Sequence, residues 1–104
     1  MDIELVVVAD CPNERPAADL MRQALKAVGE DKASFSTRVI TTQAEAEQSG
    51  FTGSPTFLIQ GRDPFADPGR PPGLSCRLYT TPRGVAGLPD MDQLQQALIA
   101  TRST

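Results

Sequence analysis

The chain is 104 residues long, enough for one domain over residues 1–104 whose modest core needs neither disulfides nor metal to hold it. It is 39% hydrophobic and 22% charged with a formal net charge of −3, and with no basic run it lacks the electrostatic footprint of a nucleic-acid binder. There is no histidine, which removes Cys-His and Ser-His-Asp nucleophile activation and most zinc sites and argues against a hydrolase.

Asp2 and Glu4 stand where a signal peptide carries Lys or Arg, and the apolar run that follows is too short to span a membrane. A cytoplasmic protein is expected, without a membrane or nucleic-acid partner and with its two cysteines as free thiols. Ile3 to Val8 is nearly continuous in Ile, Leu and Val, as in a central strand covered on both faces. From Ala17 the apolar positions Leu20, Met21, Ala24, Leu25 and Val28 keep the spacing of one buried helix face, and Gly29 ends the helix. Phe35, Thr37 and Val39 alternate with Ser36, Arg38 and Ile40, which predicts a second strand at a sheet edge.

Thr42-Gln43-Ala44-Glu45 has the form of a capping box opening a short helix to about Ser49, closed by Gly50. Thr56–Ile59 reads as a third strand and Arg77–Thr80 as a fourth, antiparallel to it. Asp90 with Gln93 caps a last helix whose apolar face is Met91, Leu94, Ala97 and Leu98. The order β-α-β-α-β-β-α, with helices in both early crossovers, predicts an α/β sandwich around a four-stranded mixed sheet. Between the third and fourth strands, Gly61 to Ser75 carries four prolines. It reads as a stiffened surface insertion that packs loosely unless Phe65 is buried, or else as a lid or partner-docking segment with Phe65 as anchor and Arg62 or Arg70 as anion contacts.

Cys11 is the leading candidate for chemistry. It lies where the first strand gives way to a helix, whose free amides stabilise a nearby thiolate, the nucleophilic form of cysteine. Pro16 is incompatible with a helix that begins at Pro12, whereas a helix capped by Asn13 accommodates it in the first turn. Cys11 then stands two residues before the cap, where the dipole acts on it less, with the carboxylates of Asp10 and Glu14 close by. Cys76, in a strand-like stretch, reads as structural. Taken at the start of the fourth strand, it falls near the opposite end of the sheet from Cys11, about 13–17 Å away, and no disulfide between them is expected. A fourth strand that began later would bring Cys76 to the site as a candidate resolving thiol.

The pairing of Asp10-Cys11-Pro12-Asn13-Glu14 with Gly53-Ser54-Pro55-Thr56 resembles the thioredoxin-like family. The same two segments, with Gly61-Arg62-Asp63-Pro64-Phe65 and Ser75-Cys76-Arg77, are similar to small actinobacterial thioredoxin-like proteins labelled by association with alkylmercury lyase. The resemblance implies a thioredoxin-like fold, a cis bond before Pro55 that leaves the Ser54 amide and carbonyl free to pair with an extended thiol substrate, and a substrate surface formed by Pro12, Ser54, Pro55 and Thr56. Glu14 replaces the second thiol of a Cys-x-x-Cys motif, so only a single-thiol route through Cys11 remains, with an outside thiol resolving the mixed disulfide. No metal or bound cofactor is expected. Glutathione or another low-molecular-weight thiol would be a co-substrate, and the partner a thiol-containing protein or small-molecule thiol. The alternatives are a non-catalytic binding or scaffold domain that uses the proline-rich loop, and soft-metal or organomercurial capture by thiolate.

Overall fold

A computed structural model describes residues 1–30 and 32–102. The elements run β1 (Asp2–Val8), α1 (Glu14–Ala27), β2 (Ser34–Ile40), α2 (Gln43–Ser49), β3 (Thr56–Ile59), β4 (Tyr79–Thr81), β5 (Gly84–Ala86) and α3 (Met91–Arg102). β1 is central: β2 lies parallel to it from the Asp2↔Ser34 pair to Val8↔Ile40, and β3 antiparallel from Ile3↔Ile59 to Val6↔Thr56. Its apolar run is thus covered twice. Ile3, Leu5 and Val7 pack with Met21 and Leu25 of α1, Phe57 and Ile59 of β3 and Leu94 and Leu98 of α3. Val6 turns the other way, into a smaller cluster with Ile40, Ala46 of α2 and Phe51. Among the described residues no helix is long and apolar enough to cross a membrane.

The expected four-stranded central sheet is not formed. The sheet has three strands, β2-β1-β3, and β4 pairs with β5 in a separate two-stranded sheet. The chain does turn back tightly after β3, with Gln60 and Gly61 both at positive φ (53° and 78°), as a two-residue hairpin turn requires. Arg62 returns beside Ile59, exchanging backbone bonds of 2.8 and 3.1 Å. The ladder stops there because Pro64 has no amide to donate. Asp63 then bends the chain outward, its carboxylate accepting from the Phe65 amide at 2.9 Å. When the chain comes back at Tyr79 it finds a partner close in sequence, across the Pro82-Arg83 turn: Tyr79 pairs with Ala86 and Thr81 with Gly84. The Thr81 hydroxyl closes that turn, donating to the Gly84 carbonyl at 2.7 Å and accepting from the Arg83 amide at 3.1 Å.

The helix starts follow the sequence closely. Asn13 occupies the N-cap of α1, although its side chain makes no capping bond, and Pro16 sits in the first turn, where a missing amide breaks nothing. At α2 the Thr42 hydroxyl accepts from the Glu45 amide at 3.1 Å, and Glu45 reaches back to the Thr41 amide at 3.3 Å. Thr42→Ala is expected to lower stability by about 1 kcal/mol, the usual loss for such a cap, measured by urea unfolding. Hydrogen bonds from the Thr41 hydroxyl and amide, and then from Thr42, hold the Glu45 carboxyl below its ordinary value of 4.5. The stability it adds is complete above pH 4.5 and is lost as pH falls through the lower folded value. Glu45→Gln therefore flattens that part of the acid limb.

Candidate functional site

β1 ends at Val8, and Asp10 makes the turn toward α1 in the left-handed region, φ 59°. Cys11 follows, half-buried against the core shared by α1, α3 and β3, and its carbonyl accepts from the Glu14 amide at 3.2 Å. Pro12 is exposed beside it. Across the sheet the Ser54–Pro55 bond is cis, and the Ser54 hydroxyl accepts from the Val8 amide at 3.0 Å. The register set by the Val6↔Thr56 pair thus carries on past the end of β3 and holds Ser54 beside the last residue of β1, three residues before Cys11.

The Ser54 main chain is not free, in contrast to the expectation for a substrate-binding edge. Its amide donates to the Ser75 carbonyl at 2.9 Å, and its carbonyl accepts from the Arg77 amide at 3.0 Å. Cys76, the residue between, forms a parallel bridge with Ser54. This overturns the placement of Cys76 at the far end of the sheet. The segment that carries it runs parallel to the start of β3, and β4 begins only at Tyr79, so both cysteines belong to the end of the sheet where β1 stops and β3 starts. Both are free thiols, Cys11 half-buried and Cys76 exposed.

Arg77 fastens this arrangement. Its side chain is 3% exposed and pairs with Asp63, Nη1 to Oδ2 at 2.6 Å. Nη1 also donates to the Thr56 hydroxyl at 3.1 Å, and Nη2 to the Phe65 carbonyl at 2.5 Å. Thr56 is buried and its hydroxyl donates to the Gly53 carbonyl at 2.6 Å, so this expected substrate contact is engaged within the protein. The guanidinium also lies 4.8 Å from the centre of the Tyr79 ring, a cation–π distance. Tyr79 is buried and donates its hydroxyl to the Pro55 carbonyl. Burial pushes its ionisation well above the ordinary value, against the pull of the Arg77 charge. Nothing in the residue types of Ser75-Cys76-Arg77 marks this arginine as internal, because burial of an arginine is decided by where its counter-ion lies, here fourteen positions away.

The proline-rich segment is strapped down at several points. Phe65 is half-buried with its ring edge-on to Tyr79, centroids 5.4 Å apart. Farther along, Gly73 donates its amide to the Phe51 carbonyl at 3.0 Å, and the Gln43 side chain donates to the Pro72 carbonyl at 3.1 Å. Arg62 is exposed and Arg70 half-buried. Among the described residues no group of three or more His, Cys, Asp or Glu side chains is placed to hold a metal ion. No family model matches the chain, and neither a curated protein nor a solved structure matches it.

Proposed function

We propose that this protein performs thiol–disulfide exchange, with Cys11 as the attacking thiol and Cys76 as the resolving thiol that Glu14 displaces from the usual motif, and that it is related to the thioredoxin-like proteins. The observation that carries the reading is the pairing of Ser75–Arg77 with Ser54, whose hydroxyl is bonded to the last amide of β1. That pairing supports both thiols acting at one end of the sheet.

In the first step the Cys11 thiolate attacks one sulfur of an external disulfide, forming a mixed disulfide and releasing the other half as a thiol. The Cys76 thiolate then attacks the Cys11 sulfur, closing a Cys11–Cys76 disulfide and releasing the second half. Two protein thiols are oxidised and one external disulfide is reduced to two thiols. A low-molecular-weight thiol such as glutathione returns the protein to the dithiol form, itself ending as a disulfide. A cytoplasmic, reducing setting suits this cycle.

Mass spectrometry of alkylated protein tests it. Diamide-treated wild type is expected as a monomer lighter by two hydrogens, with both cysteines closed to alkylation. Cys76→Ser is expected to accumulate a glutathione adduct on Cys11, and Cys11→Ser to reduce a glutathione mixed disulfide no faster than the uncatalysed reaction. Two free thiols after diamide, together with unchanged turnover in Cys11→Ser, would sink the proposal.

A further inference from the structure

Beyond Cys76 the chain passes the mouth of a cavity of about 260 Å³, whose walls include Phe65, Asp67, Arg70, Arg77, Leu78 and Tyr79. Leu78 is two residues past Cys76, about 7 Å along an extended chain. The cavity therefore adjoins the segment that carries Cys76. Its two cations differ in what they can offer. The Arg77 guanidinium is already committed to Asp63, Thr56 and Phe65.

Arg70 is not committed. Arg22, Arg38, Arg77 and Arg102 each have a carboxylate partner. Arg15, Arg62, Arg70 and Arg83 have none among the described residues, and of these only Arg70 is half-buried. A guanidinium with no carboxylate in contact can take an arriving anion without first breaking an ion pair. Asp67 stands on the same wall, exposed, one of its oxygens accepting from the Gly69 amide at 3.1 Å and the rest of the carboxylate open to solvent. A cation and an anion on one rim, beside the half-buried Phe65 ring and the exposed Leu78, match a short peptide end that carries both a carboxylate and an ammonium group.

We infer that this cavity binds the free α-amino-acid end of a small peptide-like thiol or its disulfide, the carboxylate on Arg70 and the ammonium on Asp67. This rests on the thiol-exchange reading and names the class of small molecule that reading would use. The experiment separates binding from chemistry by using S-methylglutathione, which cannot exchange, on the Cys11→Ser protein. Titration followed by amide NMR is expected to give saturable shifts at Phe65, Arg70, Tyr79 and Thr80. Adding Arg70→Gln is expected to weaken binding about ten-fold or more, as for loss of a charge-assisted hydrogen bond, and Asp67→Asn to weaken it less. Shifts that do not saturate at these residues, equal affinity in Arg70→Gln, or an equal response to inorganic phosphate would overturn the assignment. Failure of the exchange reading would show instead in the diamide and turnover measurements, with this titration unaffected.

Discussion

Replacing Asp63 with Ala is expected to remove about 3–5 kcal/mol of stability, the range found when one partner of a buried ion pair is deleted. The reason is the guanidinium left behind. Arg77 is 3% exposed and Asp63 supplies two of its four polar bonds, at 2.6 and 3.3 Å. Without them a full charge remains inside the fold with only the Thr56 hydroxyl and the Phe65 carbonyl to solvate it. Domains of this size are stable by only about 5–15 kcal/mol, so the variant should unfold at least about 10 °C lower. The double variant Asp63→Ala/Arg77→Met is expected to recover part of the loss, since removing both charges also removes the cost of burying one. Thermal and urea unfolding of the three proteins decide it. A loss below about 1 kcal/mol in Asp63→Ala is the value of a solvent-exposed pair and would show that Arg77 is hydrated in solution.

This clamp also marks where sequence reasoning stops. The continuous apolar run of β1, the helical spacing from Ala17 and the capping signals at Thr42 and Asp90 are local patterns, and each element appears close to where its pattern lies. At Asp90 even the reciprocal bond is present, its amide donating to the Gln93 side chain at 2.8 Å. The helix start was legible at Asn13 because Pro16 excludes an earlier one. The fourth strand failed because Arg77–Thr80 has a strand's composition, whereas its pairing is settled by what the preceding loop leaves available. The hairpin that took its place did have a signal, Thr81-Pro82-Arg83-Gly84 between Leu78-Tyr79 and Val85. In the candidate site, Cys11 lies between β1 and α1 as its local pattern predicted, and the Ser54–Pro55 bond is cis as the resemblance implied. The engagement of Ser54 by Ser75 and Arg77 was not legible, since it is a contact across more than twenty residues between segments with no periodic pattern.

Gly53→Ala is expected to cost about 2–4 kcal/mol, the sum of left-handed strain and overpacking, and to slow closure of the proposed Cys11–Cys76 disulfide. Gly53 has φ 141°, a conformation that side chains resist, and a Cβ built there would lie 2.9 Å from the Arg77 Cβ and 3.2 Å from its Cα. The obstacle is backbone and the first side-chain atom, neither of which can swing aside. Relief requires the Ser75–Arg77 segment to move away from Ser54, stretching the 2.9 and 3.0 Å bonds that seat Cys76 and shifting Arg77 against Asp63. Gly50→Ala separates the two causes, because Gly50 also has a positive φ, 74°, but a Cβ there would meet nothing within 4 Å. It should therefore show the conformational loss alone, about 1 kcal/mol, with disulfide closure at the wild-type rate. Gly87→Ala gives the opposite contrast: its Cβ would come within 2.5 Å of the Asn13 side-chain amide, which is free to rotate away. Urea unfolding of the three variants, with the rate at which diamide closes both thiols to alkylation, separates strain from displacement. A Gly53→Ala protein no less stable than Gly50→Ala, and closing its disulfide as fast as wild type, would mean that the Ser54 pairing does not hold Cys76 in place.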